Sequence, residues 1–192
     1  MNRYSTSLFI FRRDLRIQDN SGLNQALRAS VHVLPCFIFD PRQITKHPYQ
    51  SRPALQFMVQ SLADLQQAFQ AIGSGLAFYD ALPADTVKQA VQQHSIQAVF
   101  INRDYTPFSR RRDAELAQVC QDLGIDFHVV PDCLLTEPEQ ALKGNHAPYK
   151  VFTAFYNNAR QFPVPLPNAL EKPSFMAVDG ESGIVQLSFP AH

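Results

Sequence analysis

Short apolar runs alternate with stretches of helical periodicity along the chain, and this rhythm most constrains the fold. The apolar runs cover residues 7–11, 32–39, 76–79, 98–101 and 127–130. Helical patterns fill the intervals, over residues 20–29, 53–72, 84–93 and 108–123. Such alternation predicts βαβ units with right-handed crossovers. We therefore expect an α/β fold, a Rossmann-like doubly wound sheet of five parallel strands with helices on both faces.

The composition fits one globular domain and excludes some partners. With 192 residues, of which 45% are hydrophobic and 18% charged, the chain can build an ordinary core. The formal net charge of zero excludes a whole-protein field that attracts nucleic acid. No apolar run is long enough to span a membrane, and the N-terminus lacks the apolar stretch of a signal peptide. We expect no membrane partner.

Familiar chemical motifs are absent from the sequence. The first turn lacks the GxGxxG pattern, which disfavours a dinucleotide-binding dehydrogenase, and no Walker A, HExxH, CxxC or GxSxG motif occurs. The cysteines, Cys36, Cys120 and Cys133, have no metal spacing and cannot all pair. Reduced thiols are typical of a cytosolic protein. We predict no metal site and a cytoplasmic location.

The character of the chain changes near residue 163. Four prolines break any helix there, at Pro163, Pro165, Pro167 and Pro173. We predict a domain of residues 1–162, followed by a Pro-rich interdomain linker or tail of residues 163–192. Just before the change, Pro148 is predicted to open a last helix, with Phe152 and Phe155 in the core.

A charged segment, FRRDLRIQDN, follows the first apolar run. It places Arg12, Arg13 and Asp14 at the carboxyl end of the first strand, where open α/β sheets bind ligands. Two roles stay open for these side chains. Arg12 and Asp14 could form an internal ion pair, as buried arginines usually do. Alternatively the segment lines a pocket for a flat polar ring system, because arginine stacks on aromatic faces and donates to ring carbonyls or phosphate.

Polar residues also follow the second strand. Phe39 ends that strand and Asp40 begins the loop beyond it, which leads on to His47 and Arg52. A lone loop histidine is usually solvated, but the position of His47 past a strand's carboxyl end makes it a candidate.

The fourth strand runs into a third polar segment, beside the first strand at the expected switch point of the sheet. Asn102 and Asp104 offer amide and carboxylate groups at a pocket rim, with Thr106 close behind. We expect all three segments to border one cleft over the carboxyl ends of strands one, two and four. In the run of residues 110–112, at least two of the three arginines are predicted to be solvated at a helix start.

Five segments together resemble the N-terminal α/β domain of a class I DNA photolyase or related cryptochrome. They occur in the family's order over roughly residues 7–160, as FRRDLRIQDN, FIFDPRQI, SRPALQFMVQSLADL, NRDYTPFSRRRDAEL and GNHAPYKVFTAFYNNA. The resemblance implies that this domain binds an antenna chromophore, either methenyltetrahydrofolate or a flavin-type ring (8-hydroxy-5-deazaflavin or FMN). The antenna passes its excitation to FAD, which sits in a separate all-helical C-terminal domain where DNA is bound and pyrimidine dimers are split.

The resemblance also implies which residues hold the antenna and which partners the chain has. It assigns no catalytic residue to this region. The candidate cofactor-binding residues are Arg12, Arg13, Asp14, Phe39, Asp40, His47, Arg52, Asn102, Asp104 and Thr106. Thr106 stands where the family often has glutamate. The implied partners are the small-molecule chromophore, the C-terminal FAD-binding domain and, only through the full-length protein, damaged DNA.

Alternatives to a photolyase antenna domain remain open. The chain contains no tryptophan, so the family's tryptophan electron-transfer chain is absent from it and we expect no repair by this chain alone. One alternative is a nucleotide-binding regulatory domain of similar fold without a chromophore. Another is a cryptochrome-like photoreceptor module.

Overall fold

Five parallel strands form one sheet in the order β3-β2-β1-β4-β5, so β1 lies at its centre. The computed structural model describes residues 3–45 and 50–178. The elements, in chain order, are β1 (Tyr4–Phe11), α1 (Ser21–Ala29), β2 (Ser30–Ile38), α2 (Pro41–Ile44), α3 (Arg52–Ala71), β3 (Ala77–Tyr79), α4 (Pro83–His94), β4 (Ala98–Asn102), α5 (Pro107–Asp122), β5 (Asp126–Val130) and α6 (Phe152–Ala159). The predicted α/β fold is confirmed.

The sheet is covered on both faces because β1 alternates its side chains between two apolar clusters. Phe9 and Phe11 belong to the cluster that includes residues of α1 and α3. Leu8 and Ile10 belong to the other, which includes residues of α4 and α5. Strands buried on both faces read as continuous apolar runs, which is why the strands were visible in the sequence.

The chain changes direction across the sheet at β1. It first builds β2 and β3 on one side of β1 and then crosses to place β4 and β5 on the other. The carboxyl ends of β1 and β4 are therefore the topological switch point, where a crevice opens in doubly wound sheets. The connections between successive strands contain the helices α1, α3, α4 and α5. Within the described ranges, no helix is both long and apolar enough to cross a bilayer.

The segment after residue 162 packs back onto the sheet. Val33 of β2 donates to the Ser174 carbonyl and accepts from the Met176 N–H, both at 2.9 Å, so that Phe175 forms a parallel bridge with Val33. Phe175 also packs edge-on against Phe69, with ring centroids 5.1 Å apart. The proposed division at residue 162 stays a prediction, and its residues 179–192 lie outside the described part of the chain.

The prediction for the last helix was wrong. Pro148 lies in irregular structure, and α6 begins four residues later at Phe152. No residue of α6 is buried, and Phe152 is 74% exposed. A second difference is α2, a short helix where the sequence suggested a loop. Its N-cap is Asp40, which accepts from the Arg42 N–H.

Candidate functional site

A cavity of about 570 Å³ opens over the carboxyl ends of β1 and β2, between α3 and the start of α5. Its volume lies in the range typical of small-molecule sites. The predicted residues that line it are Arg12, Arg13, Phe39, Asp40 and Asp104. These residues come from all three polar segments, so the structure brings together the segments expected at one cleft.

One wall of the cavity is apolar. Phe37 and Phe39 come from β2 and the residue after it, and they pack edge to face with centroids 5.0 Å apart. Leu55, Phe57 and Met58 contribute from α3. Phe57 is 71% exposed and lies at the open side of the cavity. Mostly apolar lining with a few placed polar groups is usual for small-molecule sites.

A second group of lining residues is polar and lies at and just before the N-terminus of α5. Thr106 is the N-cap; its hydroxyl accepts from the Ser109 N–H at 3.1 Å and donates to the Ser109 hydroxyl at 2.9 Å. Ser109 in turn donates to Asp104 at 2.8 Å. Thr106 itself does not line the cavity; it positions Ser109 and Asp104, which do. A capped helix start therefore fixes a carboxylate at the wall.

Asp104 is ionised at neutral pH and firmly held. Burial alone would raise the pKa of its carboxyl group. The hydrogen bonds from Ser109, Thr106 and Tyr105, together with the charge of Arg13, outweigh burial and lower that pKa. The guanidinium of Arg13 lies 3.5 Å from Asp104 Oδ2 and is 77% exposed. Asp104 can therefore accept a hydrogen bond from a ligand without first losing a proton.

Arg12 is locked into the protein scaffold. Its side chain is only 8% exposed and forms an ion pair with Asp113 of α5, and it also donates to the carbonyl of Asn102 at the end of β4. The proposed Arg12–Asp14 ion pair is not what the structure shows. Asp14 instead accepts from the backbone N–H of Arg12 at 2.9 Å. Arg12 thus ties the first loop to β4 and α5 while lining the cavity.

Asp40 forms an ion pair with Arg42, two residues further along the chain. Its buried carboxylate accepts from the Arg42 guanidinium, at 2.8 Å from Nη2, and Arg42 also reaches Glu115 at 2.9 Å. The hydrogen bond to Asp40 and those to Glu115 raise the pKa of Arg42. The Arg42 guanidinium lies over the Phe108 ring, 5.3 Å from its centroid. This network joins α2 to α5, and its Asp40 lines the cavity.

Asp14 and Asn102 form a buried network behind the cavity and do not line it. The side-chain amide nitrogen of Asn102 donates to Asp14 at 2.5 Å and to Asn20 at 2.8 Å. The side-chain oxygen Oδ1 of Asn102 accepts from the Gly22 N–H at 2.9 Å. A Cβ at Gly22 would lie inside contact distance of Asn102 and 3.0 Å from Phe9. Asn102 therefore fastens the N-terminus of α1 to the end of β4, and its contacts are structural.

Two more predicted residues lie away from the cavity wall. Arg52 is exposed at the first position of α3, next to the N-cap Ser51, and does not line the cavity. His47 lies outside the described residues. For all ten candidates, binding of a cofactor stays a prediction.

Arg112 is, with Ser109, a polar cavity residue that the sequence interpretation missed. It is 6% exposed, lines the cavity, and has no hydrogen-bond partner for Nε or Nη2 within the described residues. Arg110 and Arg111 are exposed, so the prediction that two of the three arginines are solvated is confirmed. The missed signal was spacing, because Ser109, Arg112, Leu116 and Cys120 recur along the buried side of α5.

Sequence comparisons agree on one family. The DNA photolyase family profile matches residues 7–173. A Synechococcus deoxyribodipyrimidine photo-lyase is 35% identical over 162 residues, which make up 84% of this chain and 33% of that protein. The Escherichia coli enzyme of the same name is 34% identical over 80% of this chain and 33% of its own length. Cryptochrome DASH of Gloeobacter violaceus is 26% identical over 91% of this chain and 36% of its own length.

Solved structures extend the likeness to three dimensions. An archaeal photolyase from Sulfolobus tokodaii, described with two FAD molecules, superposes with a TM-score of 0.81 at 38% identity, covering 90% of this chain and 38% of that one. A Synechocystis cryptochrome gives the same TM-score of 0.81 at 20% identity, over 92% of this chain and 38% of that one, and so shares the fold. The chain thus spans about a third of the length of these relatives. The chain belongs to the DNA photolyase family and corresponds to its N-terminal α/β domain.

Proposed function

We propose that the cavity binds an antenna chromophore and that this chain is the light-collecting domain of a deoxyribodipyrimidine photolyase. The observation that carries the proposal is the cavity itself, which is lined both by the aromatic side chains of Phe37 and Phe39 and by a polar group of Asp104, Ser109 and Arg112. Such a lining suits a flat ring, which can place its faces on apolar groups and its polar edge on hydrogen-bonding groups.

A flavin-type ring is the ligand class best supported. The Sulfolobus relative is described with two FAD molecules and with a novel light-harvesting cofactor, and it is 38% identical to this chain. The polar lining of this cavity combines a charged acceptor, Asp104, with guanidinium donors. A flavin or deazaflavin edge carries both a ring N–H and ring carbonyls, so it can use both kinds of group.

Repair activity, FAD and DNA belong to the proposal for the longer protein. The relatives named as photo-lyases are about three times as long as the matched part, which is 33% of each. We propose that the helical remainder of such a protein holds the FAD that receives the excitation and the DNA lesion. Matches to cryptochromes keep a second candidate, a photoreceptor module, which repair assays on the full-length polypeptide would separate from the first.

Ligand titration tests the proposal directly. FMN, 8-hydroxy-5-deazaflavin and methenyltetrahydrofolate are each added to the purified chain, and binding is followed by fluorescence. We expect weak binding of a flavin-type ligand, because the cavity is open at Phe57 and Arg13 and few contacts offset the entropy lost on association.

The variant Asp104→Ala should weaken whichever ligand binds. Removing the carboxylate leaves a ligand donor without its acceptor, at a cost of about 1–3 kcal/mol. Asp122→Ala is the matched control, because Asp122 lies at the far end of α5, the helix that Asp104 precedes, and its side chain is exposed. If none of the three ligands binds the wild-type chain, the antenna proposal fails. If Asp104→Ala binds as the wild type does, Asp104 is not part of the site.

A further inference from the structure

The cavity wall contains a guanidinium group whose hydrogen bonds are incomplete. Arg112 is 6% exposed, and its Nε and Nη2 atoms lack any hydrogen-bond partner among the described residues. Burying a charged donor without a partner is costly, and native proteins rarely leave one so. The group therefore points to a missing acceptor.

Among the described residues, Asp113 and Asp104 bring negative charge near Arg112, but no group accepts a hydrogen bond of ordinary geometry from Nε or Nη2. Asp113 Oδ1 lies 3.5 Å from Nε but accepts the shorter contact from Arg12. Ser109 donates its hydroxyl proton to Asp104. The Phe108 ring, 5.7 Å from the guanidinium, offers a face but no lone pair. Burial, and then the charge of Arg12, lower the pKa of Arg112, while the charges of Asp113 and Asp104 and the contact with Asp113 oppose this shift without cancelling it.

The two unpaired donors share one edge of the guanidinium. Nε–H and one Nη2–H point in parallel from that edge, and this pair is the fork that arginine uses for two adjacent acceptors. Lysine, a point charge without this planar geometry, cannot replace it. The cavity that Arg112 lines is the space from which such acceptors would approach.

We propose that Arg112 determines ligand specificity by donating two parallel hydrogen bonds, from Nε and Nη2, to two adjacent, negatively polarised acceptor atoms of the bound chromophore. The inference rests on the proposed antenna function and deepens it. The acceptor pair has two possible sources with the same chemistry. One is a ring edge, where a flavin carries a nitrogen lone pair beside a carbonyl oxygen, and the other is two oxygens of a phosphate ester.

Titration of matched variants with riboflavin and FMN tests the proposal. Arg112→Gln should weaken binding about 10- to 150-fold, the range expected for a hydrogen bond to a charged group. Arg112→Lys should recover only part of that loss, while the exposed neighbour Arg111→Gln should bind as the wild type does. Equal losses for both ligands identify the ring edge, and a loss confined to FMN identifies the phosphate.

Thermal unfolding of the ligand-free chain supplies a readout that does not depend on the chromophore. Inorganic phosphate should raise the Tm of the wild type more than that of Arg112→Met, because only the wild type offers the fork. If phosphate raises the Tm of the wild type but no chromophore binds, the antenna function is contradicted while the anion site at Arg112 is supported. The proposal is overturned if Arg112→Gln binds every ligand as the wild type does, or if phosphate acts equally on wild type and Arg112→Met.

Discussion

Three arginines at the cavity differ in what holds them. Arg12 is paired with Asp113 and a backbone carbonyl, and Arg13 is largely exposed. Arg112 is buried, and two of its donors have no hydrogen-bond partner in the part of the chain that the structure describes. Residue type alone could not separate these roles, because a run of arginines at a helix start is most often solvated. Only the position of Arg112 on the buried side of α5 distinguishes it from its neighbours.

Replacing Gly22 by alanine should destabilise the domain by about 1–3 kcal/mol, the usual range for forcing an extra group into a packed site. The new Cβ would meet Asn102 and Phe9, and Asn102 is held by Asp14 and Asn20 and cannot move aside freely. The gain in helix propensity, about 0.5–1 kcal/mol, does not offset this clash. Urea unfolding of the two proteins measures the difference.

Gly144→Ala is the matched control for that experiment. A Cβ at Gly144 meets nothing within 4 Å, so its unfolding free energy should change by no more than about 0.5 kcal/mol. Equal stability of Gly22→Ala and wild type would show that α1 can shift and that the network around Asn102 does not fix its position.

Among the elements, the strands were the easiest to predict and the last helix was the hardest. The apolar run at residues 32–39 corresponds to β2, because a strand covered on both faces has no polar side to interrupt it. In α6, Phe152 and Phe155 have the spacing of a core-facing stripe, yet both are exposed. Periodicity shows that a helix has an apolar face, but it does not show whether this chain contains the surface that covers it.

The segment that packs on β2 should contribute measurable stability. Phe175→Ala removes a partly buried ring that contacts Phe69, and we expect a loss of about 1–3 kcal/mol, below the 3–5 kcal/mol of a fully buried phenylalanine. Phe152→Ala is the matched control, since that ring is 74% exposed. Chemical denaturation of both variants gives the values, and similar small losses in the two would mean that the segment is only loosely attached.

At the scale of the whole molecule, the sheet order explains why the cleft was predictable. Parallel strands bring their carboxyl ends to one edge, so polar residues after β1, β2 and β4 had to meet near the switch point. The sequence did not predict which of these polar residues line the cavity and which form the buried network behind it. Asp14 and Asn102 face each other in a buried network, a pairing between residues 88 positions apart that no local pattern reveals.

The 192-residue chain assayed alone should not repair DNA. It matches 33% of the photo-lyases related to it, and the family resemblance assigns FAD and the lesion to a separate helical domain. Incubation with FAD, light and dimer-containing DNA should leave the dimers intact, with a full-length photolyase as the positive control. Tight retention of FAD together with loss of dimers would place the catalytic apparatus within these residues.

The bridge between Val33 and Phe175 has a consequence for solubility. β3 pairs only with Cys36–Ile38, so the earlier part of β2 would otherwise present bare backbone donors and acceptors at the sheet edge. Open strand edges template edge-to-edge aggregation, and a covering segment is one of the ways in which proteins prevent it. A version trimmed at residue 162, where the proline-rich composition begins, would uncover this edge and invite self-association through β2.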